Sequence, residues 1–124
     1  MDLFAGVAVS DYDRALDWYG RLLGAPPSFR PHDTESVWTL GDHRHLYVLL
    51  DPARAGHSLL TLFVEDLDAF VDAAAQRDVH RASAETYDNG VSKVTFRDPD
   101  GNEVGVGGAG PTARRTGARS GWSR

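Results

Sequence analysis

Large aliphatic residues recur at every second position, Val7 and Val9 and again Leu60, Leu62 and Val64, the period-two signature of a strand with one buried face. Past each run an aspartate intervenes, Asp11 or Asp66, and the period becomes helical. Tyr12, Ala15, Leu16, Tyr19, Leu22 and Leu23 then form an apolar stripe, and so do Leu67, Phe70, Val71, Ala74 and Ala75. Both aspartates stand where a helix N-cap accepts hydrogen bonds from unpaired first-turn amides. Gly24 followed by Pro26-Pro27 ends the first helix.

These two stretches are copies of one another. Val7–Asp17 aligns with Leu62–Asp72 at an offset of 55 without a gap, and aspartates coincide at 11/66, 13/68 and 17/72. Thr39-Leu40-Gly41-Asp42 aligns with Thr95-Phe96-Arg97-Asp98 at an offset of 56. Asp98-Pro99-Asp100-Gly101-Asn102 is a tight-turn sequence: Pro99 pre-sets φ, aspartate can bond the turn backbone, and Gly101 tolerates positive φ. The expected strands are 3–10, 27–32, 35–41, 44–50, 58–65, 80–87, 91–97 and 103–107. Each half is then strand, helix and three-stranded meander, an α+β chain of two βαβββ modules at about 1–50 and 57–107. Asp51 to Gly56 links them.

The pattern of first strand, aspartate cap, Trp18-Tyr19 before Leu22-Leu23-Gly24, and Asp98-Pro99-Asp100-Gly101-Asn102 resembles the vicinal-oxygen-chelate superfamily of glyoxalases, bleomycin-resistance proteins and extradiol dioxygenases. The resemblance covers about residues 3–107 and implies curled mixed sheets around a cleft. It also implies a homodimer. In the superfamily's enzymes the cleft holds a divalent metal that chelates two substrate oxygens. Their ligand positions correspond here to Phe4, Leu49, Leu59 and Gly105, which offer neither imidazole nitrogen nor carboxylate oxygen. A site displaced by one pleat would use Asp2, Tyr47, His57 and Glu103, with His57 and Glu103 as its main ligands. His43 and His45 form a further i, i+2 pair, while His32 and His80 have no evident partners.

Strand parity assigns the faces. Val7, Val9, Leu46, Val48, Leu50, Leu60, Leu62, Val64, Val104 and Val106 point to the core. Phe4, Gly6, Ala8, His45, Tyr47, Leu49, Leu59, Thr61, Phe63, Glu103, Gly105 and Gly107 point to the cleft. The parity of Leu40 and its equivalent Phe96 puts Trp38 in the core. The expected ligand-binding set is Phe4, Thr39, Tyr47, Leu49, Leu59, Thr61, Phe63, Lys93 and Glu103, with Thr95 supplying a further hydroxyl. Apolar clefts with a few placed polar groups suit small molecules, and aromatic rings suit planar or cationic ones.

Composition narrows the classes. The chain has 124 residues and no cysteine, which excludes disulfides, thiolate metal sites and cysteine nucleophiles. No apolar run approaches the roughly 20 residues of a membrane span. Met1 to Val9 lack the blocks of a signal peptide, so a cytoplasmic protein is expected. From Gly108 onward the tail holds Arg114, Arg115, Arg119 and Arg124, no acid, and Trp122. Its composition predicts disorder. The body keeps nine basic residues against 18 acidic ones, which argues against nucleic acid and suits a cationic ligand. Ser10, Ser36 and Ser92 have no His/Asp arrangement supported by spacing. Gly105 to Gly110 runs into the tail and opens no helix, so it is no dinucleotide fingerprint.

Three functions follow. The first is a metal-free binder closest in character to the bleomycin-resistance proteins, sequestering an aromatic drug or metabolite, with a cation suited by the acidic body. The second is a divalent-metal-dependent lyase, isomerase or dioxygenase built on His57 and Glu103. The third is an accessory module without a ligand.

Overall fold

A computed structural model describes residues 1–109. The chain runs β1 (Leu3–Val9), α1 (Tyr12–Leu23), β2 (Phe29–His32), β3 (Glu35–Gly41) and β4 (Arg44–Leu50), then β5 (Leu59–Phe63), α2 (Leu67–Gln76), β6 (Ser83–Thr86), β7 (Val91–Arg97) and β8 (Glu103–Ala109). Each half forms one four-stranded sheet, ordered β1-β4-β3-β2 and β5-β8-β7-β6. The helix crossover returns the last strand beside the first, so β1/β4 and β5/β8 are parallel and the meander pairs antiparallel. The two tandem modules predicted by the repeat are therefore present.

Local chemistry sets the helix ends. The Asp11 carboxylate accepts from the Arg14 amide at 3.2 Å, and Asp66 accepts from Ala69 at 3.0 Å. Gly24 adopts φ 76°, the left-handed region that favours glycine, and caps α1. Val7, Val9, Tyr19, Leu22, Trp38, Leu46, Val48, Phe96, Val104 and Val106 belong to one buried cluster spanning both modules. Of the residues parity assigns to the core, Val7, Val9, Leu46, Val48, Val104 and Val106 are buried, while Leu50, Leu60, Leu62 and Val64 are half-buried.

A polar seam joins the modules. Asn102, fully buried, donates from Nδ2 to the Ala8 carbonyl at 2.9 Å and accepts at Oδ1 from the Ser58 amide at 2.8 Å. Asp100 accepts from both the amide and the hydroxyl of Ser10. The Tyr19 hydroxyl donates to Asp98 at 2.8 Å. The turn sequence of the second module thus grips the first strand and first helix of the first.

Several bounds differ from expectation. The edge strands β2 and β6 are shorter than 27–32 and 80–87, and β5 is shorter than 58–65. β8 extends two residues past 107, so Gly108 and Ala109 belong to the sheet, where Val91 and Ser92 pair with them. The remaining tail lies outside the described residues. Trp38 is buried, but Leu40 is 38% exposed, because the β3/β4 register shifts between Thr39 and Gly41. No helix among the described residues is long and apolar enough to cross a membrane.

Candidate functional site

The faces turned away from the helices carry the predicted binding residues. On the first sheet, Phe4 stacks on its register partner His45, with ring centroids 4.2 Å apart and planes 17° apart. His45 Nε2 lies 2.9 Å from the Asp2 carboxylate, and its Nδ1 lies 3.0 Å from the Thr39 hydroxyl. His43 Nδ1 meets the other Asp2 oxygen at 2.8 Å. Hydrogen bonds from His43 and then His45 hold the Asp2 carboxyl below its ordinary range. The i, i+2 histidine pair is therefore occupied by one carboxylate.

Next along the sheet, the Tyr47 ring lies over Gly6. A Cβ at Gly6 would come within 2.5 Å of Tyr47 Cζ, so only glycine permits this placement. Beside that ring is a cavity of about 260 Å³ lined by Gly6, Ala8, Tyr47 and Leu49 from the sheet and by Arg54 and His57 from the linker. Asp51 and Ser58 complete its rim. A larger crevice of about 610 Å³ reaches the helix side of the sheets, where Ala5, Leu23, Leu60, Leu62 and Phe70 line it, with His45, Thr61 and Phe63 at its edge.

On the second sheet the register rows are Leu59–Glu103–Arg97, Thr61–Gly105–Thr95 and Phe63–Gly107–Lys93. Leu59 is 73% exposed and Phe63 is 45% exposed. The Glu103 carboxylate faces Arg97 at 3.8 Å. The structure thus groups Phe4, Thr39, Tyr47 and Leu49 on one sheet and Leu59, Thr61, Phe63, Lys93 and Glu103 on the other. The linker residues Asp51, Arg54 and Ser58 were missed by strand parity. The available signal was connectivity: the segment joining two adjacent modules must pass over their shared edge.

At the four positions that the resemblance marks, the side chains offer no donor that fits a divalent metal. Phe4, Leu49, Leu59 and Gly105 offer no ligand atom, and Asp2 is engaged by two histidines. Among the described residues, no three histidines, cysteines or acids gather closely enough to hold an ion. His57 and Glu103 are not joined by a third ligand, and Tyr47 lies on Gly6. The remaining candidates have local partners. His32 sits 3.2 Å from Glu35, His80 sits 3.0 Å from Asp78, and the buried Ser36 hydroxyl is 2.6 Å from that of Tyr12.

Fold and faces together define a protein of paired βαβββ modules. Residues 3–106 match the model of the Glyoxalase/Bleomycin resistance protein/Dioxygenase superfamily, and the chain belongs to that superfamily. Among curated proteins, none matches the chain. A glyoxalase/bleomycin resistance protein from Catenulispora acidiphila DSM 44928 is similar at 54% identity and a TM-score of 0.86, over 89% of this chain and 99% of that one. The antibiotic-binding protein TnmS3 from Streptomyces sp. CB03234 shares 24% identity over 89% of this chain and 96% of that one, with a TM-score of 0.69. A bleomycin-binding protein complexed with bleomycin shares 19% over 89% and 99%, with a TM-score of 0.71. The last two likenesses establish the fold alone.

Proposed function

We propose that this chain is a metal-free binding protein that sequesters an aromatic drug or metabolite against the helix-free faces of its sheets. The observation that carries this reading is the Tyr47 ring laid over Gly6 beside a cavity whose other walls are aliphatic and polar. A planar ring placed there gains an aromatic contact worth about 0.5–1.5 kcal/mol beyond the apolar area it buries. Phe4 and Phe63, both substantially exposed, offer further ring surface. The fold is shared with proteins described as bleomycin-binding and antibiotic-binding, which supports the same use here.

The proposal includes a homodimer in the cytoplasm and neither nucleic acid, membrane nor cofactor as partner. Titration of the protein with a panel of planar aromatic compounds, followed by intrinsic tyrosine and tryptophan emission, tests it. Saturable quenching with a Kd near micromolar, about −8 kcal/mol, is expected. A panel without any saturable response would remove the reading. Elemental analysis after purification without chelator, and again after exposure to Mn²⁺, Fe²⁺, Ni²⁺ and Zn²⁺, should find far less than one equivalent per chain. Stoichiometric metal lost in His57→Ala would restore the displaced chelate site.

A further inference from the structure

The chain has one lysine against twelve arginines, and the fold places that lysine, Lys93, on the helix-free face of the second sheet. Its neighbours Val94 and Phe96 point the other way, into the core. The central strand β8 contributes Gly105 and Gly107 to the same face, flanked by Thr61 and Phe63 from β5 and by Thr95 and Lys93 from β7. Two successive missing side chains leave a shallow trough across β8. The Lys93 side chain lies along it. A Cβ at Gly105 would stand 2.6 Å from Lys93 Cε, 3.3 Å from Nζ and 3.1 Å from the Thr61 hydroxyl oxygen. Glycine at 105 is what lets this amine reach the trough.

The amine has not gone there to meet a carboxylate. Glu85 is directly opposite Lys93 on β6, yet no ion pair joins them. Glu103 on the same face is turned to Arg97. Among the described residues the half-buried Lys93 ammonium has neither a hydrogen-bond nor an ion-pair partner. An ammonium carries three donors and no acceptor, and leaving them unmet in a partly desolvated place is unfavourable. A flexible stem with a point charge suits a narrow trough better than the planar fork of arginine.

We propose that Lys93 anchors an anionic oxygen of the ligand, with the Thr61 hydroxyl as second donor and the aromatic part of the ligand against Phe63 and Leu59. The ligand class is an aromatic carboxylate or phenolate. This rests on the binding reading above and adds the sign of the ligand's charge. It runs against the acidic body, but charges beyond about 8–10 Å are largely screened at physiological salt, so the contact group decides.

The full chain should be titrated calorimetrically with three probes sharing one ring system: naphthoate, naphthalenemethanol and naphthylmethylammonium. Naphthoate should bind about tenfold more tightly than the other two, as expected of a hydrogen-bonded charge pair. Lys93→Met keeps the stem and removes the charge; it should erase that advantage and leave the alcohol unchanged. Gly105→Ala should do the same by displacing the amine, and Glu85→Gln should not weaken naphthoate. Because Lys93 supplies the chain's single ε-amine, naphthoate should also protect it from acylation, read by peptide mass spectrometry. Equal or tighter binding of the ammonium probe, or unchanged naphthoate affinity in Lys93→Met, would overturn the anchor while leaving the binding function standing. No binding of any of the three would remove both.

Discussion

Asp98 is 5% exposed and is the most heavily bonded side chain of the turn. At Oδ2 it accepts from the Tyr19 hydroxyl and from Asn102 Nδ2, each at 2.8 Å; at Oδ1 it accepts from the amides of Asp100 at 3.0 Å and Asn102 at 2.9 Å. Tyr19→Phe removes one charge-assisted bond and should cost about 1.5–3 kcal/mol in urea denaturation. Asp98→Ala strands the buried Tyr19 hydroxyl and the Asn102 amide, and should cost more. Burial, and then the Asp98 charge, raise the Tyr19 pKa well above the ordinary 10.0. A raised value means that stability is complete below the unfolded pKa and falls above it, where the unfolded tyrosine ionises and the folded one does not. Thermal melts should therefore decline above about pH 10, with a shallower decline in Tyr19→Phe. A wild-type curve superimposable on the variant's would show that Tyr19 ionises freely in the fold. The turn itself was legible from its composition. Its partners were not, since Tyr19 lies 79 residues away and Ala8 lies 94 away from the groups they meet.

At the scale of elements, the two helices end differently although they are copies. α1 stops at Gly24, itself left-handed, whereas α2 is capped by Arg77 at φ −94° and turns left-handed one residue later, at the non-glycine Asp78 with φ 63°. Arg77 compensates across the molecule. Its guanidinium donates to the carbonyls of Arg21 and Leu22 at the end of α1, while Arg21 donates to the carbonyls of Arg77 at 3.3 Å and Asp78 at 3.1 Å. Each helix thus places a cation at the negative end of the other. Arg77→Ala should cost about 1–2 kcal/mol in chemical denaturation, and Arg77→Lys should recover only part, because a point charge cannot fork to two carbonyls. Equal stability of all three proteins would show that the clamp is idle. The bounds of β3, β4 and β7 were legible to the residue because each strand packs large apolar side chains such as Trp38, Leu46 and Phe96 into the core and ends at a turn. The edge strands were overrun because β2 and β6 are exposed along their whole length and only pairing sets their ends. The helix-free faces, where the proposed binding residues lie, were assigned by strand parity. The cavity's Asp51 and Arg54 were not, since a linker has no period to read.

For the whole molecule, the repeat and the seam together constrain assembly. Leu59 is 73% exposed, Phe4 48% and Phe63 45%, all on the helix-free faces, and Leu3 at the start of β1 is 67% exposed. A monomer in water would leave this surface unburied, and a stable dimer typically buries about 1,200–2,000 Å² in total. The seam is already closed within one chain, because Asn102 of the second module is fully buried against Ala8 of the first. Exchanging modules between chains would break these bonds and re-form the same ones, gaining nothing, so the proposed dimer should form by docking two complete chains. Sedimentation equilibrium should then give twice the 13.5 kDa chain mass. Leu59→Asp, at a position exposed enough to leave the fold intact, should shift the mass toward one chain. Urea unfolding of that variant should keep a single cooperative transition, since both modules and their seam remain together. If the monomerised variant instead lost its cooperative unfolding, the modules would depend on the second chain and the exchanged arrangement would be the correct one.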